Sequence, residues 1–456
     1  MFNSFVSIRL KQKISSIFTG DRQGSLKNFL FKSIAGTFGL SIVNAGLNYI
    51  ITILLARFLG ATGYGTYVYA LTLVGILQLP ALLGLTTLLT REISAYKTKE
   101  SWSLATGLFR WSDRVTFIFS LVLSLLAIYF AWLYKLSLPE GSFLVISIAI
   151  LSLPLVVLSS IRQAVMQGLG YIVKAQVPTV LVRPVLLVIF LPVAFFWLGS
   201  LSAVWAMAIY VLTTAVAAIM LVISCDRSLP SKLKSAIPQY QGRLWIKDAL
   251  PMLFISGMYL VNHQTDTVML GALSDASSVG IYSIACRGVM VTGFVLSAFN
   301  TSLAPVFTNL YTGGEMDRLQ RLVTKSCRSI LLATTPIVLG LILFGNWFML
   351  MFGAEFVAGT TALSILCLGQ LFNAFTGSVA LLLIMTGYQQ YTAIGVAISA
   401  ILNIILNWML IPLWGINGAA IATTSSGAVW NIILVFFVYQ KLKIFATPIG
   451  KIGLIK

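Results

Sequence analysis

Apolar residues in this chain come in long unbroken blocks rather than in alternation, which predicts helices and argues against strands. A helix rising 1.5 Å per residue needs about 20 mostly apolar residues to cross a hydrocarbon layer. Twelve blocks meet that requirement: 32–58, 65–90, 115–135, 142–167, 175–198, 201–224, 249–272, 279–310, 329–352, 360–386, 391–413 and 416–440. The opening segment, 1–28, is basic and broken by polar residues, and the apolar run after it is too long for a signal-peptide core. The expected fold class is therefore an all-α integral membrane protein of about twelve transmembrane helices. Pro80, Pro154, Pro184, Pro305 and Pro336 lie inside predicted spans and should bend or loosen them.

Composition agrees with the blocks. Of 456 residues, 58% are hydrophobic and only 9% charged, and the mean hydropathy is +0.95. Soluble globular domains carry about a quarter charged residues, so a soluble enzyme, a disordered chain and a nucleic-acid-binding domain are all excluded. The four cysteines (Cys225, Cys286, Cys327 and Cys367) are far apart in sequence and form neither a redox pair nor a zinc cluster.

The net charge of +18 then has to be read by position. Of 30 Lys and Arg, 25 fall on the N-terminal segment, the tail and the connections after even-numbered spans, and Lys135 alone falls in an opposite-side loop. Positive charge gathers on the cytoplasmic side of membrane proteins, so both termini are expected in the cytoplasm. Trp132, Trp197 and Trp414 fall at predicted outer ends, with Trp111 and Trp245 near inner ones, as interfacial anchors should. The outer loops are none longer than seven residues between these boundaries, which leaves no room for an outer catalytic loop. The longest connections, 91–114 and 225–248, are cytoplasmic, each able to hold an amphipathic surface helix.

The chain also repeats itself. Gly65-Thr-Tyr67 matches Gly280-Ile-Tyr282 at an offset of 215, each just after a Leu-Gly-Ala. Met166-Gln-Gly168 matches Met385-Thr-Gly387 at 219, and Gly199, Ala203 and Ala206 match Gly415, Ala419 and Ala422 at 216. Three matches in one order predict two parallel repeats of six spans about an axis along the membrane normal. The expected organisation is a cytoplasmic N-terminal segment (1–28), an N-lobe (29–224), a linker (225–248), a C-lobe (249–440) and a cytoplasmic tail (441–456).

Four arginines remain inside spans: Arg57, Arg162, Arg183 and Arg287. An Arg at the bilayer centre costs about 2.5–3.5 kcal/mol on insertion scales, less where it snorkels to the interface. Each therefore needs a partner, an interface or a wet cavity with an anionic ligand, and the planar guanidinium suits phosphate. Arg57 and Arg162 lie near span ends, where snorkelling competes with a cavity role, whereas Arg183 and Arg287 lie deeper and suit a cavity. Asp266, with His263 one turn before it, is a candidate ion-coupling site, or else simply a partner for an Arg. Asn44 with Asn48, Asn403 with Asn407, and Gln370 with Asn373 share helix faces. They are candidates for sugar contacts or for interhelical hydrogen bonds.

Leu55-Ala-Arg57-Phe-Leu-Gly60 followed by Tyr64-Gly65-Thr-Tyr67 resembles the first-to-second span junction of bacterial Wzx-type polysaccharide and O-antigen repeat-unit flippases. Asp266-Thr-Val-Met-Leu-Gly271 with Val279-Gly280-Ile-Tyr282 is similar to the junction opening their second half. Those proteins belong to the MATE/oligosaccharidyl-lipid/polysaccharide exporter superfamily. The resemblance extends over nearly the whole chain in span count, halves and loop lengths. It implies a flippase without bond chemistry, carrying undecaprenyl-diphosphate-linked oligosaccharides across the bacterial cytoplasmic membrane by alternating access of two six-helix lobes. It further implies cationic cavity residues that hold diphosphate and acidic sugars. Arg57 stands within the matching motif, whereas Arg162, Arg183 and Arg287 are candidates by position. Implied partners are the lipid-linked substrate, membrane lipids, a polysaccharide polymerase and glycosyltransferases, with no nucleic acid and no cofactor beyond a proton or sodium gradient. A multidrug/cation antiporter is the alternative within the superfamily, and a membrane glycosyltransferase or polymerase the alternative outside it. The antiporter predicts acidic cavity residues, and the polymerase a long outer loop.

Overall fold

The computed structural model describes residues 22–133 and 141–450, with side chains from residue 39 onward except those of Ile255, Tyr259, Asn262 and His263. Lys135 and most of the N-terminal segment lie outside the described residues, which are helical throughout apart from turns and short connections. The helices are α1 (Arg22–Leu82), α2 (Leu85–Thr98), α3 (Trp102–Leu133), α4 (Ser142–Leu151), α5 (Leu153–Gly168), α6 (Ile172–Gln176), α7 (Arg183–Leu198) and α8 (Ala203–Ser228). They continue as α9 (Ser231–Ser235), α10 (Gly242–Leu273), α11 (Ala276–Thr312), α12 (Met316–Leu343), α13 (Gly345–Leu350), α14 (Thr360–Thr376), α15 (Val379–Met385) and α16 (Gln389–Leu442). Among the described residues, nine stretches are long and apolar enough to cross a membrane. Two of them hold two predicted spans each, because α1 is bent at Gly60 and α16 at Gly415. The remaining predicted span is carried by α10. This is a multi-pass all-α membrane protein.

Three apolar cores set the shape. At the end away from the basic connections, residues of both halves share one core: Leu55, Tyr64 and Leu153 pack in the same cluster as Tyr282, Phe352 and Leu363. At the basic end the core is divided. One cluster is built on Leu88, Ile161 and Trp245, the other on Phe307, Leu319 and Leu434. The two halves therefore close against each other at the distal end, and toward the basic end they have separate cores bridged by the start of α10, which packs on Gly84.

The closure rests on the repeated glycines. A Cβ at Gly65 would lie 1.6 Å from the Ala276 carbonyl, and one at Gly280 would lie 2.4 Å from the Ala61 carbonyl. The two contacts are reciprocal at the same 215-residue offset, so a pseudo-two-fold axis runs between them. Small residues permit such backbone approach. Beside this crossing, Glu355 Oε2 accepts the Ala61 N–H at 2.7 Å, so one half caps the helical leg that restarts after Gly60 in the other.

Two further repeat positions share a geometry. Gly199 and Gly415 both take positive φ (71° and 53°) at distal turns. At the ends of α5 and α15 the caps match bond for bond: Tyr171 N–H donates to Met166 O, and Tyr388 N–H to Leu383 O. Gly170 and Gly387 supply the left-handed residue in each. This corrects the expected pairing of Gly168 with Gly387. The equivalent residue is Gly170, the offset is 217, and Gly168 is small because a Cβ there would meet Ile93 Cβ at 2.9 Å.

Several boundaries also move. α10 begins at Gly242 rather than near 249, and its first turns bury Trp245 and Ala249 in the N-half core. Trp245 is thus a core residue, 1% exposed, and not an interfacial anchor. The linker forms no long surface helix. Short helix α9 and the extended stretch after it dock on α3, with Thr106 Oγ1 donating to Leu233 O at 2.7 Å and Gln239 N–H to Ser103 O at 3.0 Å. The second span ends at Leu82, and the amphipathic helix expected in 91–114 begins earlier: α2 (Leu85–Thr98) buries Leu85, Leu88, Leu89 and Ile93. The tail folds back onto α12, where Gln320 both donates to Phe445 O and accepts its N–H.

Candidate functional site

Between the halves lies a cavity of about 420 Å³ lined from both sides. α1 contributes Asn48, Thr52, Tyr64 and Tyr67, α7 contributes Arg183, and α8 contributes Tyr210. From the other half come Gln264 and Asp266 on α10 and Tyr282, Cys286 and Arg287 on α11. Arg183 stands eleven residues after Ile172, and Arg287 eleven after Ala276. At 1.5 Å per residue each is about 16 Å along its span, close to the middle of a hydrocarbon layer of about 30 Å.

The backbone before Arg183 is irregular, a π-helical stretch Val177–Val182 with Pro178 inside it and Pro184 just after Arg183. Such widened turns re-aim the side chains that follow. The guanidinium sits over the Tyr210 ring, Cζ 5.6 Å from its centroid, a cation–π contact. Arg183 Nε is buried with no hydrogen-bond partner, and so is the Tyr64 hydroxyl. Neither Arg183 nor Arg287 forms an ion pair with any described residue; the backbone carbonyl of Arg287 accepts the Tyr49 hydroxyl at 2.6 Å, tying α11 to α1. Two cations and several unused donors thus converge on one space. Buried donors rarely stay unpaired, and this arrangement fits an anion.

Asp266, 7% exposed, is held differently. Its Oδ1 accepts from Asn403 Nδ2 (3.1 Å) and Asn407 Nδ2 (2.7 Å). Its Oδ2 accepts from the Tyr282 hydroxyl (2.8 Å) and from the Thr423 hydroxyl. All four donors are neutral, and no described cation pairs with it. The expectation of an Arg partner for Asp266 is therefore not met. Asn403 and Asn407 donate to this carboxylate from another helix, so of their two expected roles the structure shows the interhelical hydrogen bond, and Asn407 is fully buried. A smaller cavity of about 270 Å³ adjoins the group inside the C-half, lined in part by Gln370, Asn373, Asn403 and Thr423.

The other candidates separate. Arg57 is exposed, and its Nε donates to Met351 O at 2.8 Å across the distal seam, away from the cavity. Arg162 lies at the basic end, where it bonds Asp113 through Nε and Nη2 (3.3 and 3.1 Å) and Asp226 through Nη1 (2.8 Å). Both acids fall in predicted loops, but α3 starts before Asp113 and α8 runs past Asp226, so they become helix residues facing Arg162. Arg162 is thus a tie among three N-half helices, and it lines a separate cavity of about 330 Å³ at the basic end rather than the central one. Asn48 lines the cavity and donates to both oxygens of Asn44 at 2.8 Å. His263 lies outside the residues whose side chains are described. Sequence reasoning passes over Tyr210, Tyr282 and Thr423 as site residues. Tyr282 had a signal, since it is the repeat counterpart of Tyr67 and both line the cavity.

A closed distal seam, two inverted-charge sites and two pseudo-symmetric six-span halves define a membrane carrier fold. A family model described as polysaccharide biosynthesis protein matches residues 30–311, and a MatE model matches 251–409. The chain belongs to the polysaccharide biosynthesis protein family. A probable low-salt glycan biosynthesis flippase, Agl15 of Haloferax volcanii, is 27% identical over 169 residues, which is 37% of this chain and 36% of that protein. The match thus spans about a third of that relative's length. An inward-facing multidrug resistance MATE family transporter of the MOP superfamily shares the fold with a TM-score of 0.72 at 14% identity, covering 88% of this chain and 94% of that one. The lipid II flippase MurJ, in an inward closed conformation, has a TM-score of 0.69 at 14% identity, covering 90% and 87%.

Proposed function

We propose that this protein is a flippase that carries undecaprenyl-diphosphate-linked oligosaccharide repeat units across the bacterial cytoplasmic membrane, with the basic end and both termini in the cytoplasm. One observation carries the reading. Arg183 and Arg287, from opposite halves and at mid-depth, line one cavity with no ion-pair partner among the described residues. A diphosphate can take charge-assisted hydrogen bonds from both forks, which compensates the water it leaves behind. The family match and the flippase named among the relatives support the same substrate class. The halves, joined distally and with separate cores at the basic end, give a carrier that loads from the cytoplasm. Outward opening then requires release of the Gly65–Gly280 crossing and of the Glu355 and Arg57 contacts across the seam.

Asp266 is the ion-coupling residue in this reading. Its carboxylate is held by neutral donors only, and the Asn407 Oδ1 is a buried acceptor with no donor among the described residues, which supports a role in taking up a proton or a hard monovalent cation. Because Tyr282 both bonds Asp266 and lines the cavity, an ion at Asp266 and an anion at Arg287 act on the same wall. A drug-cation antiporter is disfavoured, since the two arginines make the cavity net positive against the single Asp266.

The test is translocation by purified protein in liposomes, using a fluorescent undecaprenyl-diphosphate oligosaccharide and an impermeant quencher. Arg183→Ala and Arg287→Ala should each abolish movement at normal membrane abundance, and the Lys variants should recover part of it. Unimpaired movement by both Ala variants would overturn the proposal.

A further inference from the structure

A second opening, of about 410 Å³, lies between α2 and α5 and is lined by Thr86, Thr87, Thr90, Ser160, Gln163 and Gln167. Every hydrogen-bonding group in that lining is uncharged. The six side chains form one wall toward the basic end, and those that the protein does not satisfy are left to water or a ligand. Thr86, Thr87 and Gln167 make no side-chain hydrogen bond to any described residue. The packing is otherwise firm: Thr90 Oγ1 donates to Ala164 O at 3.3 Å, and the backbones of α2 and α5 close against each other at Gly168. The free groups therefore stand on a rigid wall.

Two hydrogen-bonded links tie this wall to helices that line the central cavity. On α1, Leu71 and Thr72 line the central cavity, and Gln78, about two turns on, donates to Ser160 Oγ at 3.2 Å. Across the π-helical stretch, Thr179 donates to Gln163 Oε1 at 3.5 Å and stands one turn before Arg183. Thr179, which contacts the wall, is four residues from Arg183, about 6 Å at 1.5 Å per residue, so an extended molecule anchored at Arg183 passes close to it.

We infer that this wall is the binding subsite for the uncharged sugars beyond the diphosphate, and so the place where glycan length and identity are read. The inference rests on the flippase reading above. Hydroxyl and amide side chains each donate and accept, as sugar hydroxyls do, and with no charge in the lining the wall does not select acidic over neutral rings. The division of labour is then cationic for the carrier group and neutral for the glycan, on adjoining stretches of one path.

The experiment uses full-length protein in liposomes and two probes: undecaprenyl diphosphate bearing one N-acetylhexosamine, and the same carrier bearing a neutral pentasaccharide. The double variant Thr86→Val/Gln167→Leu keeps the shape and removes two free polar groups. Movement of the pentasaccharide carrier should fall roughly tenfold, the product of two lost hydrogen bonds, while the single-sugar carrier moves as in the wild type. Thr86→Ser/Gln167→Asn should restore the longer probe, and because it keeps polarity it also serves if the apolar pair is poorly inserted. Equal loss on both carriers, or loss on neither, overturns the subsite. A wild type that moves neither carrier overturns the flippase reading itself.

Discussion

Arg162 and Arg183 belong to the same half, lie twenty-one residues apart, and do opposite things. Arg162 is 14% exposed and tied to two carboxylates on two other helices, with its guanidinium also 5.0 Å from the Phe109 ring. Arg183 pairs with no carboxylate among the described residues, keeps a buried N–H unused by them, and rests on Tyr210. The first is electrically finished within the protein, and the second is not. An arginine in a membrane span therefore signals a ligand only when the fold leaves it unpaired, and pairing is a property of helix ends and neighbours rather than of the residue.

The comparison breaks most clearly if both arginines are removed in turn. Arg183→Ala should lower translocation by at least roughly a hundredfold, about 2.7 kcal/mol or more, with membrane abundance unchanged. Arg162→Ala should do the reverse: Asp113 loses its partner, thermal stability and abundance fall, and transport per molecule is retained. Equal behaviour of the two, scored by transport beside abundance, would erase the distinction.

Asp266 sharpens it, because here a buried charge is held by neutral donors only. Asn407→Leu removes its 2.7 Å donor and leaves a carboxylate oxygen short of one bond, at a cost of about 1–3 kcal/mol. A lowered melting temperature in detergent should accompany a changed dependence of transport on sodium or proton gradients. An unchanged gradient dependence would remove the coupling role while leaving the structural one.

Within the Arg162 cluster the two acids should differ. Asp113 is 23% exposed and takes two bonds, whereas Asp226 is 56% exposed and takes one. Asp113→Asn should cost about 1–2 kcal/mol and Asp226→Asn less than about 1 kcal/mol, since water screens exposed pairs. Melting of the two variants side by side checks the order. The smallest effect belongs to Tyr210→Leu, which withdraws the ring beneath Arg183 and should weaken transport by roughly three- to fivefold, the worth of a partly exposed cation–π contact. Tyr210→Phe should be nearly silent.

Much of this was legible one residue at a time. Block length and the basic connections define the twelve spans, because the cost of leaving apolar backbone-satisfied helices in water is paid locally, by each segment on its own. The repeat was legible because glycines required at a close crossing cannot drift: Gly65 and Gly280 meet, and both are needed. Arg183 and Arg287 stood out by depth alone, and the fold brings them to one cavity.

What the sequence could not assign was partnership. Asp113 and Asp226 read as loop acids, and only the lengths of α3 and α8 turn them toward Arg162. Asn403 and Asn407 read as an amide face for a sugar or for a neighbouring helix, and only the approach of α10 to α16 gives them Asp266 to hold. The neutral wall of Thr86, Ser160 and Gln167 has no sequence pattern, since its members come from helices more than sixty residues apart. Burial free energy and helix formation act within a segment and are written in its composition. Electrostatic and hydrogen-bond satisfaction depend on distances of about 3 Å between segments, and those distances exist only once the helices have packed.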